Sequence, residues 1–262
     1  MFDFHMHTKV SFDGHDSAEN MLAAAERAGL REICFTDHID YDPLRPDHIL
    51  RFEIADYNRA YDHLQSDTVK IRRGFEFGML KDNADVLKQD LQRRHFDFVI
   101  GSAHFADGLD PYLEPFWEGK TIDQAELCYL EEVLGCVQAH DDFDVLGHLT
   151  FISKAWANPV KRPIEYDRYR QIVDEILKTL VRKDKGLELN TSGKDPCGVF
   201  LPSVDYLHRF KELGGRIVTV GSDAHNAEWV GQYCLEACQI VTEIFGYVCT
   251  FENRQAVFHK SY

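Results

Sequence analysis

Seven strand-like runs, most of them rich in Phe, Ile and Val, recur along this 262-residue chain with helical patterns between them. They fall at 1–7, 32–37, 69–77, 96–102, 143–148, 186–190 and 216–222. Runs of this kind, apolar on both faces, suit parallel strands covered on either side. Asp16-Ser17-Ala18-Glu19 reads as the capped start of a helix that Gly29 ends. Further helices are expected near 53–64, 84–94, 121–140, 165–183, 203–213 and 233–245. Seven alternations predict a parallel α/β barrel in preference to an open doubly wound sheet. No Pro/Gly/Ser-rich linker interrupts the rhythm, so one domain is expected over 1–262.

Polar residues collect where these strands end. The first run is Met1-Phe2-Asp3-Phe4-His5-Met6-His7, which alternates, so Phe2, Phe4 and Met6 share one face and His5 and His7 the other. Residues two apart on a strand are about 6.6 Å apart along the chain. That lets two imidazoles converge on one ion, each at about 2.0–2.1 Å if it is zinc. The second strand ends Thr36-Asp37-His38, and the third carries Gly74-Phe75-Glu76-Phe77-Gly78. The fourth ends Gly101-Ser102-Ala103-His104 and the fifth Gly147-His148. The sixth runs Glu188-Leu189-Asn190-Thr191-Ser192-Gly193, and the seventh ends Gly221-Ser222-Asp223-Ala224-His225. In a parallel barrel all these ends point to one face, where barrel active sites are built. The pattern predicts a polynuclear metal centre.

The set His-x-His, Thr-Asp-His, Gly-x-Glu, Gly-Ser-x-His, Gly-His and Ser-Asp-x-His resembles the PHP (polymerase and histidinol phosphatase) metallophosphoesterases. The resemblance runs over essentially the whole chain, and within that superfamily it is to histidinol-phosphate phosphatases. It implies a distorted seven-stranded (β/α)7 TIM-like barrel with a three-metal site. Carried over by motif, His5, His7, Glu76 and Asp223 hold the first ion. Glu76 bridges to a second, completed by His104 and His148, and Asp13, His38 and His225 take the third. In some relatives the position six residues after the second opening histidine is itself histidine. Here it is Asp13, and His15, two residues on, can replace it or meet substrate. The implied reaction is hydrolysis of L-histidinol phosphate by a metal-bridging hydroxide, a step of histidine biosynthesis. The same superfamily also cleaves phosphodiesters, so a nuclease or another small-metabolite phosphatase is the alternative.

The residue types support such chemistry on their own account. Imidazole and carboxylate together suit zinc, manganese or iron without choosing among them. Two ions sharing a carboxylate can activate water and clamp a phosphoryl group for in-line attack. Glu76 stands between Phe75 and Phe77, where an unpaired carboxylate would be costly to bury; bridging ions removes that cost. Asp37 can either orient an imidazole, as residues behind metal ligands do, or protonate the departing alkoxide. Glu76, Asp223, Asp37 and His38 are therefore the catalytic candidates.

For the phosphate, the stretch 149–163 after the fifth strand is long for a barrel turn and offers Lys154 and Arg162. Arg is better suited to bidentate contact. Ser192 and Lys194 form a second candidate pair; relatives carry an arginine shortly after this Thr-Ser-Gly segment. Asp40, Asp42 and Asp47 read as a solvated acidic loop, and His48 sits in a loop that can reach the site. Cys34, Cys234 and Cys238 read as small core hydrophobes. Seven unpaired-looking cysteines, no signal-peptide pattern and no long apolar run point to a reducing cytoplasm, with no membrane partner. A formal charge of −15 argues against a general nucleic-acid surface, yet bound divalent ions would reverse the field that a phosphorylated metabolite meets.

Overall fold

The computed structural model describes residues 1–45 and 47–260. The chain runs β1 (Phe2–Asp3), α1 (Ala18–Arg27), β2 (Glu32–Phe35), β3 (His38–Tyr41), β4 (Ile49–Arg51), α2 (Ile54–Tyr61), β5 (Lys70–Gly78) and α3 (Ala84–Arg93). It continues through β6 (Phe98–Ser102), α4 (Glu114–Trp117), α5 (Ile122–Ala139), β7 (Val145–Leu146), α6 (Arg170–Arg182) and β8 (Gly186–Asn190). The last part is α7 (Lys194–Cys197), α8 (Val204–Glu212), β9 (Val218–Gly221), α9 (Cys234–Phe245), β10 (Val248–Glu252) and β11 (Gln255–His259).

Seven staves, β1-β2-β5-β6-β7-β8-β9, pair in parallel in that order, one in each expected strand region. The last stave returns to the first. Phe4 N donates to Val220 O at 2.8 Å, Asp223 N to His5 O at 2.7 Å and His7 N to Ala224 O at 2.8 Å. The result is a distorted parallel barrel of the TIM-like class with helices outside it. The wall is apolar because both its faces are covered: Ile33, Phe75, Phe77, Val99, Ile100, Leu187, Leu189 and Val218 are all buried.

The helices begin and end for local reasons. Ser17 Oγ accepts from Asn20 N at 3.3 Å to start α1, and Gly29, at φ +69°, follows its end. α5 opens on a reciprocal cap: Thr121 Oγ1 accepts from Gln124 N, and Gln124 Oε1 accepts from Thr121 N. α6 is tied to α8 by charge. Arg209 donates from Nε and Nη2 to the two Asp174 oxygens at 2.8 and 2.6 Å, and Tyr166 Oη adds a third bond at 2.8 Å. These partners, Arg209 foremost, hold the Asp174 carboxyl down at about 2. A depressed folded value stabilises the fold above the unfolded carboxyl pKa of about 4 and loses that contribution as pH falls toward about 2. Asp174→Asn is therefore expected to destabilise the protein by roughly 1–2 kcal/mol at pH 7 and hardly at all near pH 2. Denaturant titrations at the two pH values measure this, and equal losses at both would remove the pair from the acid response.

Two features depart from expectation. The second stave breaks at Thr36–Asp37 and resumes as β3, which pairs with β5 (His38 opposite Glu76) and turns back antiparallel through β4. A second hairpin, β10–β11, covers the opposite end of the barrel. Phe251 packs on Phe98 with centroids 4.8 Å apart, and His259 on Phe2 at 4.5 Å. Its two-residue turn is Asn253-Arg254, both left-handed at φ +51° and +62°. Hairpin turns of this hand are usually announced by Asn-Gly, a signal missing here. Cys34, Cys234 and Cys238 are buried free thiols in the core. Among the described residues no helix is long and apolar enough to cross a membrane.

Candidate metal centre

At the C-terminal mouth of the staves the polar strand ends converge on Glu76. Its carboxylate is fully buried, and five imidazoles surround it, four within 3.2 Å and His7 Nε2 at 3.5 Å from Oε2. His5 Nε2 and His38 Nδ1 lie 3.2 Å from Oε2, while His148 Nε2 and His104 Nε2 lie 2.8 and 3.2 Å from Oε1. Burial opposes charge on Glu76, but these rings outweigh it and hold its carboxyl well below the usual range. Asp223 is the second pole. Its Oδ1 is 3.3 Å from His7 Nε2 and 3.6 Å from His5 Nε2, so His5 and His7 sit between the two carboxylates. Asp13 is the third: its Oδ2 faces His225 Nε2 at 3.1 Å and His38 Nε2 at 3.4 Å.

These atoms fit divalent ions better than they fit one another. His5 Nε2, His7 Nε2, His38 Nδ1, Glu76 Oε2 and Asp13 Oδ1 are buried without any hydrogen-bond partner. Buried polar atoms are nearly always paired. An orphaned set of nitrogens and oxygens aimed at common points is a ligand set of the kind that zinc, manganese and iron take. Ligand atoms of His5, His7 and Asp223 lie within 4.8 Å of one another, as do those of His5, Glu76 and His148, and of His7, His38 and His225. His38, Asp40 and His104 form a further such group. The clusters can coordinate two or three divalent metal ions.

Side chains behind the ligands fix their orientation. His5 Nδ1 lies 2.6 Å from Glu188 Oε1, and Glu188 Oε2 accepts from His148 N at 2.8 Å and from Asn190 Nδ2 at 3.1 Å. Asp3, on the same strand face as His5 and His7, accepts from Ser222 N and Oγ at 2.8 and 2.6 Å and so holds the seventh stave's end. Neither Glu188 nor Asp3 stood among the site candidates, although Asp3 shares its strand face with His5 and His7. Asp40 corrects the solvated-loop expectation more sharply. It is 5% exposed and faces His104, because β3 carries it into the barrel mouth. Asp42 is likewise buried, bonded to Arg45, while Asp47 is exposed.

Other placements also differ from expectation. Asp37 does not line the cavity. Its carboxylate is buried and taken up by Thr8 N at 2.8 Å, Ser11 Oγ at 3.1 Å and Tyr61 Oη. That removes it as a proton donor to a leaving group. It braces Ser11 instead, which accepts from His38 N at 2.9 Å and lies 3.4 Å from His7 Nδ1. His15 is exposed and lies outside the cavity lining, so Asp13 alone of the two faces His38 and His225. Arg162 turns away to Glu126 and Asp123, and Lys194 pairs with Glu236; neither lines the cavity. Lys154 does. A short 3-10 turn, Phe151–Ser153, aims it inward, and its Nζ lies 2.5 Å from Asp223 Oδ2 and 2.8 Å from Ser192 Oγ. Burial works against its charge, but Asp223 raises it above the ordinary lysine value, so Lys154 is a cation at neutral pH.

The cavity over the centre has a volume of about 840 Å³. It is lined by the metal-ligand set except His5 and His7, by Lys154 and Ser192, and by Asp110, Tyr112, Trp229, Tyr233 and His48.

A family model described as the PHP domain matches residues 3–192. A probable histidinol-phosphatase of Clostridium acetobutylicum is 32% identical over 235 residues, spanning 88% of this chain and 89% of that protein. A histidinol-phosphatase of Lactococcus lactis subsp. lactis is 31% identical over 230 residues, spanning 86% and 84%. In three dimensions the chain superimposes, with a TM-score of 0.87 and 28% identity over 98% of each chain, on a crystal structure from Lactococcus lactis subsp. lactis: histidinol phosphate phosphatase complexed with zinc, L-histidinol and phosphate. With the family model covering most of the barrel and relatives matching nearly end to end, this chain belongs to the PHP family, in its histidinol-phosphatase-like group.

Proposed function

We propose that this protein is a metal-dependent phosphomonoesterase that hydrolyses L-histidinol phosphate to L-histidinol and phosphate. The observation that carries this reading is Glu76, a fully buried carboxylate ringed by His5, His38, His104 and His148 at 2.8–3.2 Å, beside a cavity that contains one pinned lysine. His5, His7, Glu76 and Asp223 would hold one ion, Glu76, His104 and His148 a second, and Asp13, His38 and His225 a third. Divalent ions held there supply Lewis acidity to phosphoryl oxygens and lower the pKa of water to the range where it attacks phosphorus.

The chain's own residues do the rest. Lys154 is fixed by Asp223 and Ser192, so its charge meets the non-bridging phosphate oxygens without first being ordered. Asp110 and Asp195, on the walls, accept from neutral donors (Tyr112 N, Tyr233 Oη and Gln232 Nε2), which leaves their negative charge to face a substrate carrying an amine. The relatives named for histidinol phosphate support the same substrate.

The test is steady-state kinetics of the metal-loaded enzyme on L-histidinol phosphate beside nucleotides, sugar phosphates and a generic phosphodiester. Histidinol phosphate should win by orders of magnitude in kcat/KM. Turnover no better than the panel would leave a phosphatase without this substrate, and preference for the diester would point to a phosphodiesterase. Lys154→Met should lower kcat/KM about 10²–10³-fold, as loss of one pre-positioned charge partner does, with Lys154→Arg recovering part of it. A loss confined to less than about threefold would show that the phosphate is held elsewhere.

A further inference from the structure

We propose that Asp40 is a positioning residue for the outer half of the metal centre: its carboxylate holds the Nδ1 edge of His104. The His104 Nε2 atom is thereby turned toward the second cluster. The proposal rests on reading the clusters as metal sites, and it concerns Asp40, to which no ligand role was carried over.

His104 stands between two carboxylates. Its Nδ1 lies 3.0 and 2.9 Å from the two oxygens of Asp40, and its Nε2 lies 3.2 Å from Glu76 Oε1. Neutral imidazole has one N–H and one lone pair. Donation from Nδ1 to the two-oxygen face of Asp40 leaves the Nε2 lone pair pointing at the oxygen that His148 Nε2 also approaches, at 2.8 Å. That is the arrangement by which a carboxylate selects a ligand tautomer and makes the ring a better donor. His38 does not repeat this geometry: its Nδ1 is 3.5 Å from Asp40 Oδ2, too long for a good hydrogen bond, and closer, at 3.2 Å, to Glu76 Oε2. Its Nε2 faces Asp13 at 3.4 Å. The two rings meet edge to face, with centroids 5.2 Å apart.

The backbone has been cleared to admit this side chain. A Cβ placed on Gly78 would lie 2.0 Å from Asp40 Oδ1 and 2.9 Å from its Cγ. Gly78 follows Glu76 by two residues on β5 and so faces the same way. The stave that delivers the bridging carboxylate therefore also leaves the space for the orienting one. Asp40 likewise follows His38 by two on β3. Glu188, 2.6 Å from His5 Nδ1, stands in the same relation to the first cluster, which makes it the natural control.

Zinc binding by the purified full-length protein, measured by competition with a chromophoric chelator and by elemental analysis, tests this without any substrate. In Asp40→Asn, part of the zinc complement should bind about 10–100-fold more weakly while the rest keeps wild-type affinity. Gly78→Ala, with Asp40 intact, should show the same split, and Glu188→Gln should weaken a different part. In zinc-loaded wild type, histidine nitrogen NMR should show His104 protonated at Nδ1 and ligating through Nε2; this holds whether or not the variants fold. The proposal is overturned if Asp40→Asn keeps every ion at wild-type affinity, if all ions weaken equally, or if His104 ligates through Nδ1. Wild type that binds no zinc sinks the metal reading and this proposal together, whereas poor turnover of histidinol phosphate touches neither.

Discussion

Glu76→Gln is expected to lower kcat/KM for histidinol phosphate by about 10³-fold or more. Glutamine keeps the volume of this fully buried side chain, so the local packing survives. What goes is a full negative charge that four imidazoles address at 2.8–3.2 Å. An amide is a poor bridge between cations, and metal-based stabilisation of a phosphoryl transition state is worth several kcal/mol, or about three orders of magnitude in rate. Metal content should fall with activity. A Glu76→Gln protein within tenfold of wild type and with its full complement of ions would take Glu76 out of the centre.

Removal of the ions by a strong chelator is expected to abolish turnover and to lower Tm by roughly 5–10 °C for each site that had been held at a hundredfold excess over its Kd. The reason lies in the orphaned atoms. Without ions, His5 Nε2, His7 Nε2, His38 Nδ1, Glu76 Oε2 and Asp13 Oδ1 are buried with no partner, and the imidazoles crowd one another: His7 stacks on His38 and on His225 with centroids 4.2 and 4.3 Å apart. Differential scanning calorimetry before and after chelation, then after re-addition of zinc, manganese or iron in turn, gives both the size of the effect and the preferred ion. An unchanged Tm would mean that these groups satisfy one another, contrary to their geometry.

The seven staves and the residues at their ends are legible in the chain because both follow from short-range rules. A doubly buried strand must be apolar, and an ion must draw ligands from the one face where all strands finish. His5 and His7 illustrate this: their alternation alone brings the rings to 5.1 Å. Asp40 is not legible in that way. What buries it is the pairing of β3 with β5, thirty-odd residues away, together with the missing side chain of Gly78. Glu188 needs a partner 183 residues distant before its role appears. Lys154 and Arg162 have similar chemistry within one loop, and only the 3-10 turn before Lys154 decides which of them faces the cavity.

The seam between the first and last staves has a consequence for how the enzyme is made. His5 and His7 are synthesised well before Asp223, which follows His7 by 216 residues. At 5–20 residues per second, about 10–40 s separate them. Throughout that interval Glu76, His104 and His148 emerge in turn, but the first cluster lacks its second carboxylate and the barrel lacks its closing hydrogen bonds. The first ion's full ligand set therefore cannot be assembled before Asp223 is made. A full and tightly held set of ions then serves as a receipt for completed synthesis, issued only once Asp223 N has reached His5 O.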